Sequence, residues 1–234
     1  MASLALIRRL EEAFFGAWPA LAQVFDDGWV LQFADGYTKR ANSINPTYPA
    51  LDDAEVKIDR AEGCDLNQRL EARGYQATNV ARALYLSALT AEAPSLPASV
   101  TLRLDASPHD GWLEASLAMT PLDPSRAATL RRMLDGIVPV ACFGWLSENG
   151  QPLAAAFAVV QGPLMSTYHA VTVPAARRRG LMRALLGRLI AWAMEEGATA
   201  GGLFVVANNE AAGALYQRLG YEELYRYHYR VAPA

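Results

Sequence analysis

Between Val171 and Leu186 the chain reads Val-Thr-Val-Pro-Ala-Ala-Arg-Arg-Arg-Gly-Leu-Met-Arg-Ala-Leu-Leu. A β-branched apolar run stops at Pro174, a basic turn follows, and apolar residues then recur at helical spacing. A strand–turn–helix order of this kind binds phosphate. The turn points successive backbone N–H groups into one concavity, and the new helix adds the positive end of its dipole. Arg177, Arg178, Arg179 and Arg183 bring guanidinium charge to the rim. Gly180 lets the backbone approach an anion and take a φ that other residues resist. Cations at a helix start oppose the dipole, so a solvated helix start alone explains them poorly. The loop is neither a Walker loop nor a dinucleotide fingerprint, because it has no Gly-Lys-Ser/Thr and no Gly-x-Gly-x-x-Gly.

Downstream, Gly201–Ala207 is a short run of strand formers. Asn208 and Asn209 supply N-cap chemistry for a helix over 210–219, and Gly220 stands at its C-cap. Tyr221 opens a last aromatic strand through Tyr229.

The two segments together resemble the GNAT acyltransferases. Arg177, Gly180 and Met182 occupy the places of Gln/Arg-x-x-Gly-x-Gly/Ala, with Met182 where the family has a small residue. Asn209, Ala212, Leu215, Tyr216, Gly220 and Tyr221 match Asn-x-x-Ala-x-x-Leu-Tyr-x-x-x-Gly-Tyr/Phe at every fixed place. The resemblance spans Val138 to Arg230 and implies an α/β (α+β) fold, a mixed, mostly antiparallel sheet flanked by helices. It implies acetyl-CoA as co-substrate, lying where two parallel strands splay apart, with no metal. Ala170, Val171, Thr172 and Val173 would pair with the pantetheine arm. Arg177, Arg178, Arg179, Gly180, Leu181, Met182 and Arg183 would hold the diphosphate, mostly through backbone N–H, and Asn209 and Tyr216 would contact the cofactor.

The implied reaction is attack of a neutral primary amine on the thioester, with a small-molecule or peptide acceptor. Tyr216, at the family's general-acid position, would protonate the departing thiolate, since a phenol of pKa about 10 is close in basicity to a thiolate. The family's glutamate, five residues before the asparagine, is replaced by Phe204. His169 is a substitute base because imidazole titrates near neutral pH; Glu222, Glu223 and a water chain stand beside it as alternatives. A non-catalytic acyl-CoA-binding sensor is the competing reading, and Phe204 favours it. Simpler roles also fit single residues: Tyr216 as core aromatic, Asn209 as cap only, His169 as a bonded strand residue, Cys142 as inert core.

The chain has 234 residues, 52% hydrophobic and 19% charged, which suits a globular core. Its net charge of −3 gives no reason to expect nucleic acid or an anionic membrane as partner. No apolar run reaches transmembrane length, and Met1–Glu12 reads as a charged helix rather than a leader. Two cysteines, Cys64 and Cys142, make neither a disulfide framework nor a metal site. A cytoplasmic protein, monomer or homodimer, is expected.

The patterning predicts a helix from Leu4 toward Phe25, stopping near Trp18-Pro19 or continuing as a second short helix. A hairpin of Trp29–Phe33 with a return strand over Tyr37–Ile44 follows, then a short strand over Val56–Asp59. A capped helix over 65–75 closes on Gly74-Tyr75, as the later one closes on Gly220-Tyr221. That echo suggests a degenerate first copy of the same unit in residues 1–95, ahead of a catalytic, cofactor-binding domain in 96–234. Trp29, Tyr37, Arg40 and Asn42 read as packing between the halves, and His109 and His228 as structural. In the second half, a strand near 99–104, a helix over 123–134, strands over 140–146, 153–160 and 165–173, and a helix over 179–196 are expected. That last helix places Leu181, Leu185, Leu189 and Trp192 on one face.

Overall fold

The computed structural model describes residues 3–49 and 70–232. Helix α1 (Leu4–Ala17) is capped by the Ser3 hydroxyl, which accepts from Leu6 N–H. It ends at Ala17, before Pro19, and no second helix follows. Instead β1 (Ala22–Asp26) pairs antiparallel with β2 (Trp29–Phe33). The cause is the Asp27-Gly28 turn, where both residues have positive φ, the geometry that favours a tight hairpin. The return strand is shorter than expected: Tyr37–Ser43 is a loop, and only β3 (Ile44–Pro46) pairs with β2. Asn42 holds that loop by accepting from Ala34 and Gly36 N–H and donating to the Thr38 carbonyl. The expected strand at Val56–Asp59 and most of the expected helix over 65–75 lie outside the described residues. The end of that helix, Leu70–Ala72, is helical, and Gly74 takes a φ of +81° beyond it.

The remaining elements are β4 (Gln76–Leu86), β5 (Val100–Asp105), α2 (Trp112–Met119), α3 (Pro124–Asp135), β6 (Val140–Glu148), β7 (Gln151–Gln161), β8 (Leu164–Thr172), α4 (Leu181–Glu195), β9 (Ala200–Val206), α5 (Glu210–Arg218) and β10 (Glu222–Val231). Helix α2 was not expected from the sequence. Its eight residues are too few to show a helical period, and Trp112 and Leu113 are fully buried. The other C-terminal elements fall where the patterning put them, and α3 carries its Asp123 cap on Arg126 N–H.

Seven strands form one sheet in the order β10-β4-β9-β8-β7-β6-β5. All neighbours are antiparallel except β8 and β9. The fold is thus the mixed, mostly antiparallel sheet flanked by helices. Strand β4 lies between β9 and β10. The boundary placed at 95/96 therefore runs through a single hydrogen-bonded sheet.

Two faces of this sheet carry separate cores. On one, α4 packs Leu181, Leu185 and Leu189 against β6 and β7 residues such as Leu146, Ala156 and Ala158. On the other, Trp18, Trp112 and Leu130 cover Phe143, Phe157 and Val159. Successive strand residues divide between the faces because side chains alternate along a strand. Gly202 brings α1 close: a Cβ there would stand 2.5 Å from a Leu10 methyl. That approach seats Phe14 on β9.

Candidate active site

Strands β8 and β9 are paired only over Leu164–Ser166 and Ala200–Gly202. From Thr167 onward β8 has no strand partner on that side among the described residues, while β9 stays paired with β4 as far as Val206. The sheet opens into a wedge here, edged by the Ala170–Thr172 stretch of β8, which is paired with β7 on its other side and whose Thr172 carbonyl is taken by Arg177 Nε. Such an edge accepts an extended, amide-bearing ligand as if it were another strand.

At the same level β8 carries a bulge. Ala155 pairs with Val171 but Phe157 with Tyr168, so β8 has one residue more than β7. His169 takes a φ of +53° within it. The extra residue breaks the alternation, and Tyr168 and His169 both turn to the α1–α2 face. There Tyr168 stacks on Trp18 and Phe157. The His169 ring meets Trp112, and its Nε2 lies 2.7 Å from the Ser116 hydroxyl. Burial pushes the imidazole down to about pKa 4. It is neutral at pH 7 and a weak proton acceptor, which weighs against it as the base.

The wedge opens toward the basic loop. After β8, Pro174–Ala176 makes one 3-10 turn, then Arg178 and Gly180 take positive φ of 62° and 77°. Gly180 is the N-cap of α4 and offers no side-chain cap. The N–H groups of Arg178 through Arg183 meet no acceptor among the described residues, and Ala184 N–H is the first to bond back, to the Gly180 carbonyl. Donors left free at the positive end of a 15-residue helix form an anion site. The guanidiniums divide. Arg179 pairs bidentately with Glu148 at 3.1 and 3.3 Å, and Arg177 Nε donates to the Thr172 carbonyl. Arg178 and Arg183 make no ion pair among the described residues. The Glu148 carboxyl is held below its usual range by the Arg179 and Ser99 hydrogen bonds.

On the opposite side of the wedge, Asn209 caps α5 by accepting from Ala212 N–H. Tyr216 is buried against Tyr221, and burial raises its phenol to about 12. Phe204 does not replace an acid in kind: its ring packs 4.0 Å from Phe14 and 4.3 Å from the Arg40 guanidinium. Glu222 is exposed at the start of β10, and Glu223 is paired with Arg226. Cys142 is buried, its thiol pushed up to about 12 by burial, while His109 sits on the surface beside Asp135. Cys64 lies outside the described residues.

One residue here, Glu11, escaped the sequence reading, and it meets Arg40, which that reading assigns to packing between the halves. Glu11 of α1 accepts from Arg40 at 2.5 Å and from the Tyr225 hydroxyl. Burial alone would weaken the Arg40 charge, but Glu11 and the Tyr227 and Tyr229 phenols offset this, and its pKa is raised. Arg8-Arg9-Leu10-Glu11-Glu12 looks like a solvated helix face around the buried Leu10, and nothing in its spacing marks Glu11 as the partner of Arg40. Among the described residues no group of His, Cys, Asp and Glu could hold a metal ion, and no helix is long and apolar enough to cross a membrane.

A parallel strand pair that splits beside an anion-binding helix start defines the GNAT-type acyltransferases. Residues 4–230 match the family described as "probable histone acetyltransferase Rv0428c C-terminal", and the chain belongs to that family. It is 23% identical to the uncharacterized N-acetyltransferase YobR of Bacillus subtilis, over 96% of this chain and 98% of that protein. The fold is shared with a GCN5-related N-acetyltransferase from Kribbella flavida, at a TM-score of 0.67 and 20% identity over 97% of this chain and 95% of that one. It is shared also with a tandem GNAT protein from the clavulanic acid biosynthesis pathway, at a TM-score of 0.60 and 14% identity over 74% of this chain. The match spans 61% of that longer protein.

Proposed function

We propose that this acetyltransferase takes its acetyl group from acetyl-CoA and passes it directly to a primary amine. The observation that carries the reading is the joint one: a strand edge freed at Thr167 leads to a loop whose amides from Arg178 to Arg183 are unbonded. The main chain of Ala170–Thr172 would pair with the pantetheine amides; Val173, expected to join them, has its N–H on the Leu153 carbonyl and its own carbonyl on Ala176 N–H, and the loop amides would take the diphosphate. Asn209, whose carboxamide nitrogen is not used in the cap, would donate to the cofactor arm.

In the reaction the amine nitrogen forms a bond to the thioester carbonyl carbon, and the carbon–sulfur bond then breaks. The excess proton on nitrogen passes to water, and the leaving thiolate takes the Tyr216 phenolic proton, which solvent restores. Burial raises the phenol to about 12, so it keeps its proton throughout the neutral range and is a weaker acid than a free phenol; it hydrogen-bonds to the thiolate as charge builds on sulfur, and the transfer is drawn forward as the thiol departs. His169, neutral and bonded to Ser116, fixes the bulge rather than serving as the base.

Calorimetry with coenzyme A tests the donor site. We expect micromolar binding, weakened about tenfold or more when Arg178 and Arg183 are both changed to Glu, because a reversed charge faces the diphosphate. No heat with coenzyme A, or an affinity indifferent to the double change, would rule the reading out.

A further inference from the structure

A cavity of about 950 Å³ lies between the N-terminal half of α1, the loop before β3 and the end of β10. Its inner wall is Arg40 and Tyr227, and both also lie against Phe204, at 4.3 and 4.9 Å. Phe204 stands on β9 beyond the point where β8 departs, so its ring, behind Arg40 and Tyr227, is what separates the cavity from the wedge. The α1 face is the one to which the bulge turns Tyr168 and His169, and it lies opposite the α4 core.

Charge decides what the cavity takes. Among the described residues Arg8, Lys39, Arg40, Arg226 and Arg230 line it, against a single carboxylate, Glu11, in a chain whose net charge is −3. Glu11 is already engaged through both oxygens, by Arg40 and by Tyr225, and so has little left with which to select a cation. Arg226 and Arg230 are balanced by Glu223 and Glu71. Arg8 is not balanced. Its guanidinium lies 5.6 Å over the Tyr48 ring and makes no ion pair among the described residues. Its Nε, like that of Arg40, is buried without a hydrogen-bond partner. Buried guanidinium donors without acceptors are costly unless a ligand supplies one.

We propose that this cavity is the acceptor site and that its substrates are small amines bearing an anionic group, a carboxylate or a phosphate, which Arg8 binds with help from Arg40. The anion sits along α1, and the amine at the other end of the molecule points past Phe204 into the wedge. The proposal rests on the acetyl-CoA reading above and narrows it to a substrate class.

Matched pairs of amines test it. Thiol release from acetyl-CoA is measured for an amino acid against its amide, and for phosphoethanolamine against ethanolamine. The anionic member should have the higher kcat/KM by about tenfold or more, the worth of one charge-assisted hydrogen bond. The pair with the larger ratio tells carboxylate from phosphate. Arg8→Gln should raise KM for the anionic amine about tenfold and leave that for its neutral partner unchanged; Arg8→Lys should restore most of the loss. Equal rates within both pairs, a preference for the neutral amine, or a ratio unmoved by Arg8→Gln overturns the proposal. Calorimetry separates the two readings. Coenzyme A binding with no discrimination among amines sinks the acceptor class alone. Binding of the anionic amine with no heat from coenzyme A keeps the anion site and sinks the donor reading.

Discussion

Tyr216 and His169 have opposite fates because burial acts on opposite charge states. For the phenol, burial disfavours the anion, so it remains a proton donor. Tyr216→Phe should cut kcat about a hundredfold while coenzyme A affinity holds, as is usual for loss of a general acid. An unchanged kcat in steady-state assays would return Tyr216 to a packing role against Tyr221. For the imidazole, burial disfavours the cation. Folded His169 stays neutral down to about pH 4, whereas in the unfolded chain it titrates near 6.5. Between those values the unfolded state binds the extra proton, so stability is full above about pH 6.5 and falls as the pH is lowered toward 4. Urea unfolding at pH 7 and pH 4.5 should show a loss that His169→Gln reduces. An equal loss in both proteins would assign the acid sensitivity elsewhere.

Among the elements, β8 and α1 matter most for the chemistry. β8 begins as an ordinary parallel partner of β9, then parts from it and bulges, which frees an edge and sets two adjacent side chains on one face. Helix α1 closes that face through the approach at Gly202. Gly202→Val would drive a branched side chain into Leu10 and Phe14, and overpacking of this kind costs about 1–3 kcal/mol. It should also push Phe14 off Phe204, so that KM for the amine rises more than KM for acetyl-CoA. A stability loss with both KM values intact would show that α1 plays no part in acceptor binding.

For the whole molecule, the placing of β4 is decisive. It supplies the only strand partner that β10 has among the described residues, and it covers the second edge of β9. A fragment of residues 96–234 would expose those edges beside the wedge. It should show no cooperative thermal transition by circular dichroism, and a stably folded fragment that binds coenzyme A would mean the sheet closes without β4. Much was legible in advance. Gly180 among arginines announced an anion loop, and Asn209 with Gly220 bounded α5, because caps and turns depend on a few adjacent residues. The strands over 140–173 were visible from their hairpin turns. By contrast, the sequence reading missed α2, too short to display a period, and left open whether the first helix stopped at Trp18-Pro19, as it does, or resumed after it, where the Asp27-Gly28 turn makes a hairpin. The partner of Phe204 was also hidden. The linear chain alone set the loop and the caps of the helix that follows β9, because both depend on neighbouring residues. Folding in three dimensions set where β8 leaves β9, brought β4 into the same sheet, and made Glu11 and Arg40, distant in sequence, meet beside Phe204. Those are long-range pairings, and they are set by how burial is shared among all the elements rather than by any local pattern.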